Sequence, residues 1–177
     1  MVFIEYDESV IPEESRMRLN DDLERARETA MRILASAGRS KVDLIARLVD
    51  KGHEEGICRE LVERLEGVGL INEFETAEMI ARTRFAERGR SRYAISEELR
   101  RKGFEEHAII AALDHIQPED ERTVVLDLAR KRLARDHSVD QAARIRRALG
   151  HLARKGYSQS LAMSCIREAL AQEETHD

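Results

Sequence analysis

Aliphatic residues spaced four apart mark the chain at two places, Leu44 with Leu48 and Ile95 with Leu99. That spacing puts both side chains on one face of an α-helix. Each pair lies inside a shared sixteen-residue phrase, GRSKVDLIARLVDKGH from Gly38 to His53 and GRSRYAISEELRRKGF from Gly89 to Phe104. Ser40 and Ser91 stand where a hydroxyl can accept from an unpaired first-turn N–H. Asp43, three residues on, gives the first copy an approximate capping box, whereas Ala94 gives the second none. Gly52 and Gly103 then end the helices, because glycine enters the left-handed region without a Cβ penalty. Such an ending packs the residue after the glycine on the third residue from the helix end, Phe104 on Leu99 and His53 on Leu48. His53 is therefore read as a helix-end packing residue rather than a ligand.

A third copy is fainter. In LARKGY, Leu152, Gly156 and Tyr157 take the places of Leu99, Gly103 and Phe104, and Ala148 that of Ile95. Arg144 occupies the serine position, and Ser138-Val-Asp-Gln141 predicts an earlier, boxed start. Lys51, Lys102 and Lys155 precede the three glycines, where a cation complements the helix dipole. A helix is predicted after each glycine, over 54–66, 105–116 and 158–172, with Val62, Leu113 and Ile166 in equivalent places. Another is predicted before each phrase, over 21–37, 73–88 and 118–136. Asn72-Glu-Phe-Glu75 caps the second of these, and Pro118 opens the third. Self-similarity at this period predicts stacked helical units. The expected architecture is all-α: three tandem three-helix repeats in an elongated, curved body. The divisions are an acidic N-terminal arm over 1–20, repeats over 21–67 and 68–117, and a third repeat with an acidic tail over 118–177.

Composition sharpens this picture. The 177-residue chain is 42% hydrophobic and 37% charged, with 4% aromatic residues and two prolines, which suits aliphatic helix packing and disfavours a β-sandwich. It carries no apolar run of membrane-spanning length, and Cys58 and Cys165 form no CxxC pair. A cytoplasmic protein with free thiols follows. The net charge of −5 is uneven. Residues 1–28 hold nine acids against four arginines, and residues 168–177 hold four acids and no lysine or arginine. The body between them is net basic. Its basic stretches contain Arg88, Arg90, Arg92, Arg100 and Arg101, then Arg144, Arg146, Arg147 and Arg154. A polyanion or an acidic protein surface fits this cluster, and a solvated helix face fits each residue singly.

No phosphate loop, nucleophile elbow or HExxH is present, and the six histidines form no i, i+4 pair with one another and no zinc-finger spacing with a cysteine. A non-enzymatic protein without metal or cofactor is expected. A base-reading helix-turn-helix is disfavoured, because the helix after Gly103 begins Glu-Glu-His-Ala-Ile-Ile and offers nothing suited to base edges.

Three tandem units of this kind, with GRSRYAISEELRRKGF in the middle, RLEGVGLINEFETAEMIARTR before it and LARKGY in the last, resemble the bacterial RecX family of regulatory proteins. The similarity spans about residues 25–172. Its combined signature is Gly69-Leu-Ile-Asn-Glu73 with Lys102-Gly-Phe104. The chain departs from the family pattern at Asn72, where Asp is common, and at Thr76, where an aromatic is common. The sequential repeats and scarce aromatics predict a monomer, and the resemblance implies that it lies in the groove of RecA filaments on single-stranded DNA. It also implies suppression of filament growth, ATP hydrolysis, strand exchange and co-protease activity, within recombination, repair and the SOS response. The nine arginines named above are the candidate contacts to RecA or DNA, and Gly52, Gly103 and Gly156 are structural helix ends. Two other readings stay open, a non-specific nucleic-acid binder and a helical scaffold for an unrelated protein.

Overall fold

A computed structural model describes residues 13–136 and 140–174. Among the described residues there are nine α-helices and no strand. They are α1 (Glu13–Ser36), α2 (Lys41–Asp50), α3 (Glu55–Gly67), α4 (Glu73–Ala86), α5 (Arg92–Arg101), α6 (Glu106–Leu113), α7 (Pro118–Ala134), α8 (Gln141–Arg154) and α9 (Gln159–Glu174). They pack as consecutive triplets, each around its own core. The chain divides after Asn72 into two compact units, the first holding α1–α3 and the second α4–α9.

Each triplet is built alike. The middle helix buries its stripe completely, Leu44 with Leu48, Ile95 with Leu99 and Ala148 with Leu152. Covering a leucine stabilises by about 1.5–3 kcal/mol. The first helix contributes small residues four apart, Ala26 with Ala30, Ala77 with Ala81 and Val125 with Ala129, all buried. Short side chains there let the other helices approach closely. This small-residue pair repeats along the chain as regularly as the leucine stripe does, and the reading from periodicity above passed over it.

The serine caps form as expected. Ser40 Oγ accepts from the Asp43 N–H, and Ser91 Oγ from the Ala94 N–H, each at 3.1 Å. The third start differs. Ser138 lies outside the described residues, α8 begins at Gln141, and Asp140 Oδ1 accepts from Ala142 at 2.9 Å and Ala143 at 3.2 Å. The N-terminal helix differs too. Residues 13–20 of the expected arm already belong to α1. They are exposed throughout and show no apolar stripe. Glu13 and Glu14 in the first turn complement the helix dipole.

All three middle helices end on a left-handed glycine, with φ of 91° at Gly52, 78° at Gly103 and 91° at Gly156. Leu48, Leu99 and Leu152 accept from the N–H of His53, Phe104 and Tyr157 at 3.2, 3.2 and 3.3 Å. Phe104 and Tyr157 are buried in their cores. His53 instead bonds Thr29 Oγ1 of α1 through Nε2 at 3.1 Å, tying the helix end to the first helix. α3 ends in the same way at Gly69, where φ is 73° and the Leu70 N–H donates to the Leu65 carbonyl at 2.9 Å.

Inside the second unit, α4–α6 meet α7–α9 at this same ending. The Ser91 N–H donates to the Lys155 carbonyl at 3.0 Å, and Lys155 Nζ donates to the Arg88 carbonyl at 2.5 Å. The Arg92 N–H donates to the Glu121 carboxylate at 2.8 Å, while its guanidinium reaches the Ile116 carbonyl. A Cβ on Gly156 would stand 2.5 Å from both Ala94 Cβ and Ser91 Oγ, whereas a Cβ on Gly52 would meet nothing within 4 Å. Gly156 thus combines a left-handed backbone with a close approach.

These two glycines share one backbone angle and differ in what surrounds them. Gly52→Ala is expected to cost about 1–2 kcal/mol, the left-handed penalty alone. Gly156→Ala should cost a further ~1–3 kcal/mol for overpacking. Urea melts of the two variants check this, and equal losses would refute the close approach.

Candidate functional site

The arginines separate by what holds them. In α4–α6, Arg84 grips Glu98 with Nε and Nη2 at 2.8–3.0 Å, and both side chains are largely covered. Arg90 adds a contact to Glu98 at 3.8 Å, and its Nε is buried without a partner. The Arg84 bonds hold the Glu98 carboxyl below its ordinary value; burial opposes them and the charges of Arg84, Lys102 and Arg90 assist. Arg92 belongs to the junction described above. Arg100 pairs with Glu97 and Glu106, each at 2.7 Å. Arg101 is exposed and donates to the Glu97 carbonyl at 3.3 Å.

In α7–α9 the pattern turns on α8. From Gln141 to Arg154 this helix carries four arginines and no acid. Ala143, Ala148 and Leu152 face the core. Carboxylates from neighbouring elements neutralise two of the arginines. Arg147 makes a two-pronged pair with Asp136 at 2.7 and 2.9 Å, and Arg144 reaches Glu173 at 2.9 Å. Arg146 and Arg154 are exposed and carry no ion pair among the described residues. With Gly150 between them they follow one face at i, i+4 and i+8. His151, half-buried on the same helix, is pushed below its ordinary pKa by burial and then by Lys155, Arg154 and Arg132. Arg88 lies on the other side of the junction, where its carbonyl holds Lys155; it too is exposed without an ion pair among the described residues.

Of the nine arginines that sequence singled out, the structure therefore gives Arg90, Arg92, Arg100, Arg144 and Arg147 partners within the molecule. It leaves the side chains of Arg88, Arg101, Arg146 and Arg154 facing solvent. It also shows a feature absent from that set. Beside the junction runs an open groove lined by Tyr93, Glu121, Ala153, Tyr157 and Ser158, among others. Tyr93 is 68% exposed. Val42 and Arg146 occupy the equivalent places in the other two triplets, and both are exposed as well. Alignment of the three copies places Tyr93 at an outward position of its helix, as it does Val42 and Arg146.

Among the described residues no group of His, Cys, Asp and Glu could hold a metal ion, and no helix is long and apolar enough to cross a membrane. Both cysteines are free and buried, and burial is the main cause that raises the pKa of each thiol.

The arrangement defines an all-α helical-repeat protein with a basic outer face on its last repeat. The description "RecX, second three-helix domain" matches residues 72–113, which begin at the residue before α4 and end with α6. The regulatory protein RecX of Amycolatopsis mediterranei (strain U-32) is 38% identical over 146 residues, 82% of this chain and 83% of that protein. Its counterpart in Streptomyces coelicolor is 35% identical over 153 residues, covering 86% of this chain and 81% of that one. The chain belongs to the RecX family of regulatory proteins. The crystal structure of RecX from Lactobacillus salivarius shares its fold, with a TM-score of 0.74 at 21% identity over 85% of this chain and 97% of that one. A second RecX crystal structure gives a TM-score of 0.75 at 23% identity, over 89% and 78%.

The Arg84–Glu98 pair gives a pH prediction. Because the folded pKa of Glu98 is lowered, its stabilisation is complete above the unfolded carboxylate value of about 4.3 and is lost as pH falls through the lower folded value. Glu98→Gln is expected to cost about 1–3 kcal/mol at pH 7, the range for hydrogen bonds to a charged group. It should also flatten the acid limb of stability. Urea melts from neutral to acid pH check both.

Proposed function

We propose that this protein binds RecA filaments on single-stranded DNA and restrains them, lowering ATP hydrolysis, strand exchange and co-protease activity. It acts as a cytoplasmic monomer whose repeats follow the filament groove. Membership of a family of regulatory proteins supports the regulatory role. The observation that carries the binding surface is the face of α8 with Arg146 and Arg154. Two cations without carboxylate partners stand on a helix that has no acid of its own. Arg88, across the junction, extends the same charge, and Arg101 adds an outlying cation. Held near phosphates or carboxylates, such guanidiniums contribute attraction that salt screens.

The partners inside the molecule decide which variants are informative. Arg146→Glu with Arg154→Glu is expected to weaken suppression of RecA ATPase about tenfold, a change of ~1.4 kcal/mol. Adding Arg88→Glu should weaken it further, with the melting temperature nearly unchanged. Arg100→Gln, which gives up pairs to Glu97 and Glu106, should leave suppression intact. The measurement is DNA-dependent RecA ATPase across a salt series. Each contact to a single-strand phosphate that is lost should reduce the slope of log affinity against log salt by about 0.7. If the triple variant inhibits as the parent does at every salt concentration, the α8 face is only a solvated surface.

A further inference from the structure

Tyr93 and Tyr157 stand on the groove at the junction of the last two triplets, and packing accounts for neither polar end. Tyr93 projects from the first turn of α5, and its ring makes no ring contact among the described residues. Tyr157 is the reverse case. Its ring is 6% exposed within the α7–α9 core, and its hydroxyl is buried without a hydrogen-bond partner. That hydroxyl is closed to solvent, so Tyr157 lines the groove without offering a donor to it. Glu121, which lines the same groove, adds to the burial that raises the phenol's pKa. The hydroxyl therefore lies within the electrostatic reach of Glu121. One oxygen of Glu121 accepts from the Arg92 N–H at 2.8 Å, which fixes the carboxylate in place.

The groove thus offers a flat exposed ring and a fixed acceptor, in an open volume of about 590 Å³. A phosphate does not suit it, because the Glu121 carboxylate repels an anion and no guanidinium lines the groove. An unpaired base suits it. Its π-face stacks on an aromatic ring, and its N–H groups can donate to a carboxylate. The phosphates belong beside the groove. Ala153 lines it, and the next residue, Arg154, shares a helix face with Arg146; the Arg154 guanidinium lies back over Gly150 between them.

We propose that this groove seats one unpaired nucleobase of a single strand, stacked on Tyr93 and donating to the Glu121 carboxylate, with the flanking phosphates along Arg154 and Arg146. The inference rests on the reading that single-stranded DNA is part of this protein's target. It goes further in assigning a base site to residues of this chain. A protein side chain is the competing occupant, and a charged one is disfavoured, because an acid would meet the Glu121 carboxylate and a base the adjoining arginines.

The test uses the full-length chain without RecA, fluorescently labelled oligonucleotides and anisotropy. A single strand is expected to bind more tightly than an equal-length strand of abasic sugar–phosphate units. Tyr93→Ala should weaken the intact strand about 5- to 100-fold, the range for a lost stacked base, and leave the abasic strand unchanged. Tyr93→Phe should restore most of the binding. Several results would overturn the site: equal binding of intact and abasic strands, equal loss on both in Tyr93→Ala, or no binding to either. RecA ATPase run in parallel separates the two readings. Suppression retained by the parent without any base contrast removes the base site and leaves the regulatory role. A base contrast without suppression does the reverse. If Tyr93→Ala spares the DNA affinities yet weakens suppression, the groove takes a protein side chain and the base site is wrong.

Discussion

The left-handed glycine that ends each middle helix sets how the rest of its triplet lies. At that residue the chain reverses direction, and the leucine three positions before the cap accepts the N–H of the residue after the glycine. The same turn delivers Phe104 and Tyr157 into the cores over α4 and α7, and brings His53 to Thr29 of α1. The third helix of each triplet starts from there, so its seat on the small residues of the first helix depends on the turn. The stripe alone would hold a helix against something, but it would not say where the next helix goes.

At Gly156 the same device serves a second purpose. The missing side chain lets the end of α8 come against the start of α5, close enough for the Ser91 N–H to reach the Lys155 carbonyl. Two triplets with separate cores are thereby joined through helix ends, and the turn at Gly89 also closes on Leu128 and Val124 of α7. This joint combines backbone hydrogen bonds with apolar contact. It leaves a groove beside it, and the basic face of α8 runs away from that groove.

Charge in this molecule is mostly settled internally, and that gives the exceptions their meaning. Within helices, carboxylates pair with arginines three or four residues on, as Asp43 does with Arg47 and Glu55 with Arg59. Exposed pairs of this sort contribute little to stability. Across helices, Arg84–Glu98 and Arg147–Asp136 fix one element on another. Against that background, Arg146 and Arg154 on a helix without acids are charges for which the fold has no evident use. The proposed filament contact gives them one, and the proposed base site gives one to the exposed ring of Tyr93.

The sequence by itself determined the class of fold, the order of helices and the residues that end them. Those depend on interactions within a few positions: Ser40 and Ser91 with the first turn, Leu99 with Phe104 across Gly103, Pro118 at the first position of α7. The faint third copy was legible for the same reason. Local rules did not reach two starts, that of α1, whose first turns lack an apolar stripe, and that of α8, where Asp140 caps. Only the tertiary structure decided which basic residues remain available. Arg92, Arg144 and Arg147 look in sequence like Arg88, Arg146 and Arg154. Their side-chain partners, the Ile116 carbonyl, Glu173 and Asp136, lie eleven to twenty-nine residues away. An ion pair or a shared groove depends on distance in space, and for residues on different helices that distance exists only once the helices have packed.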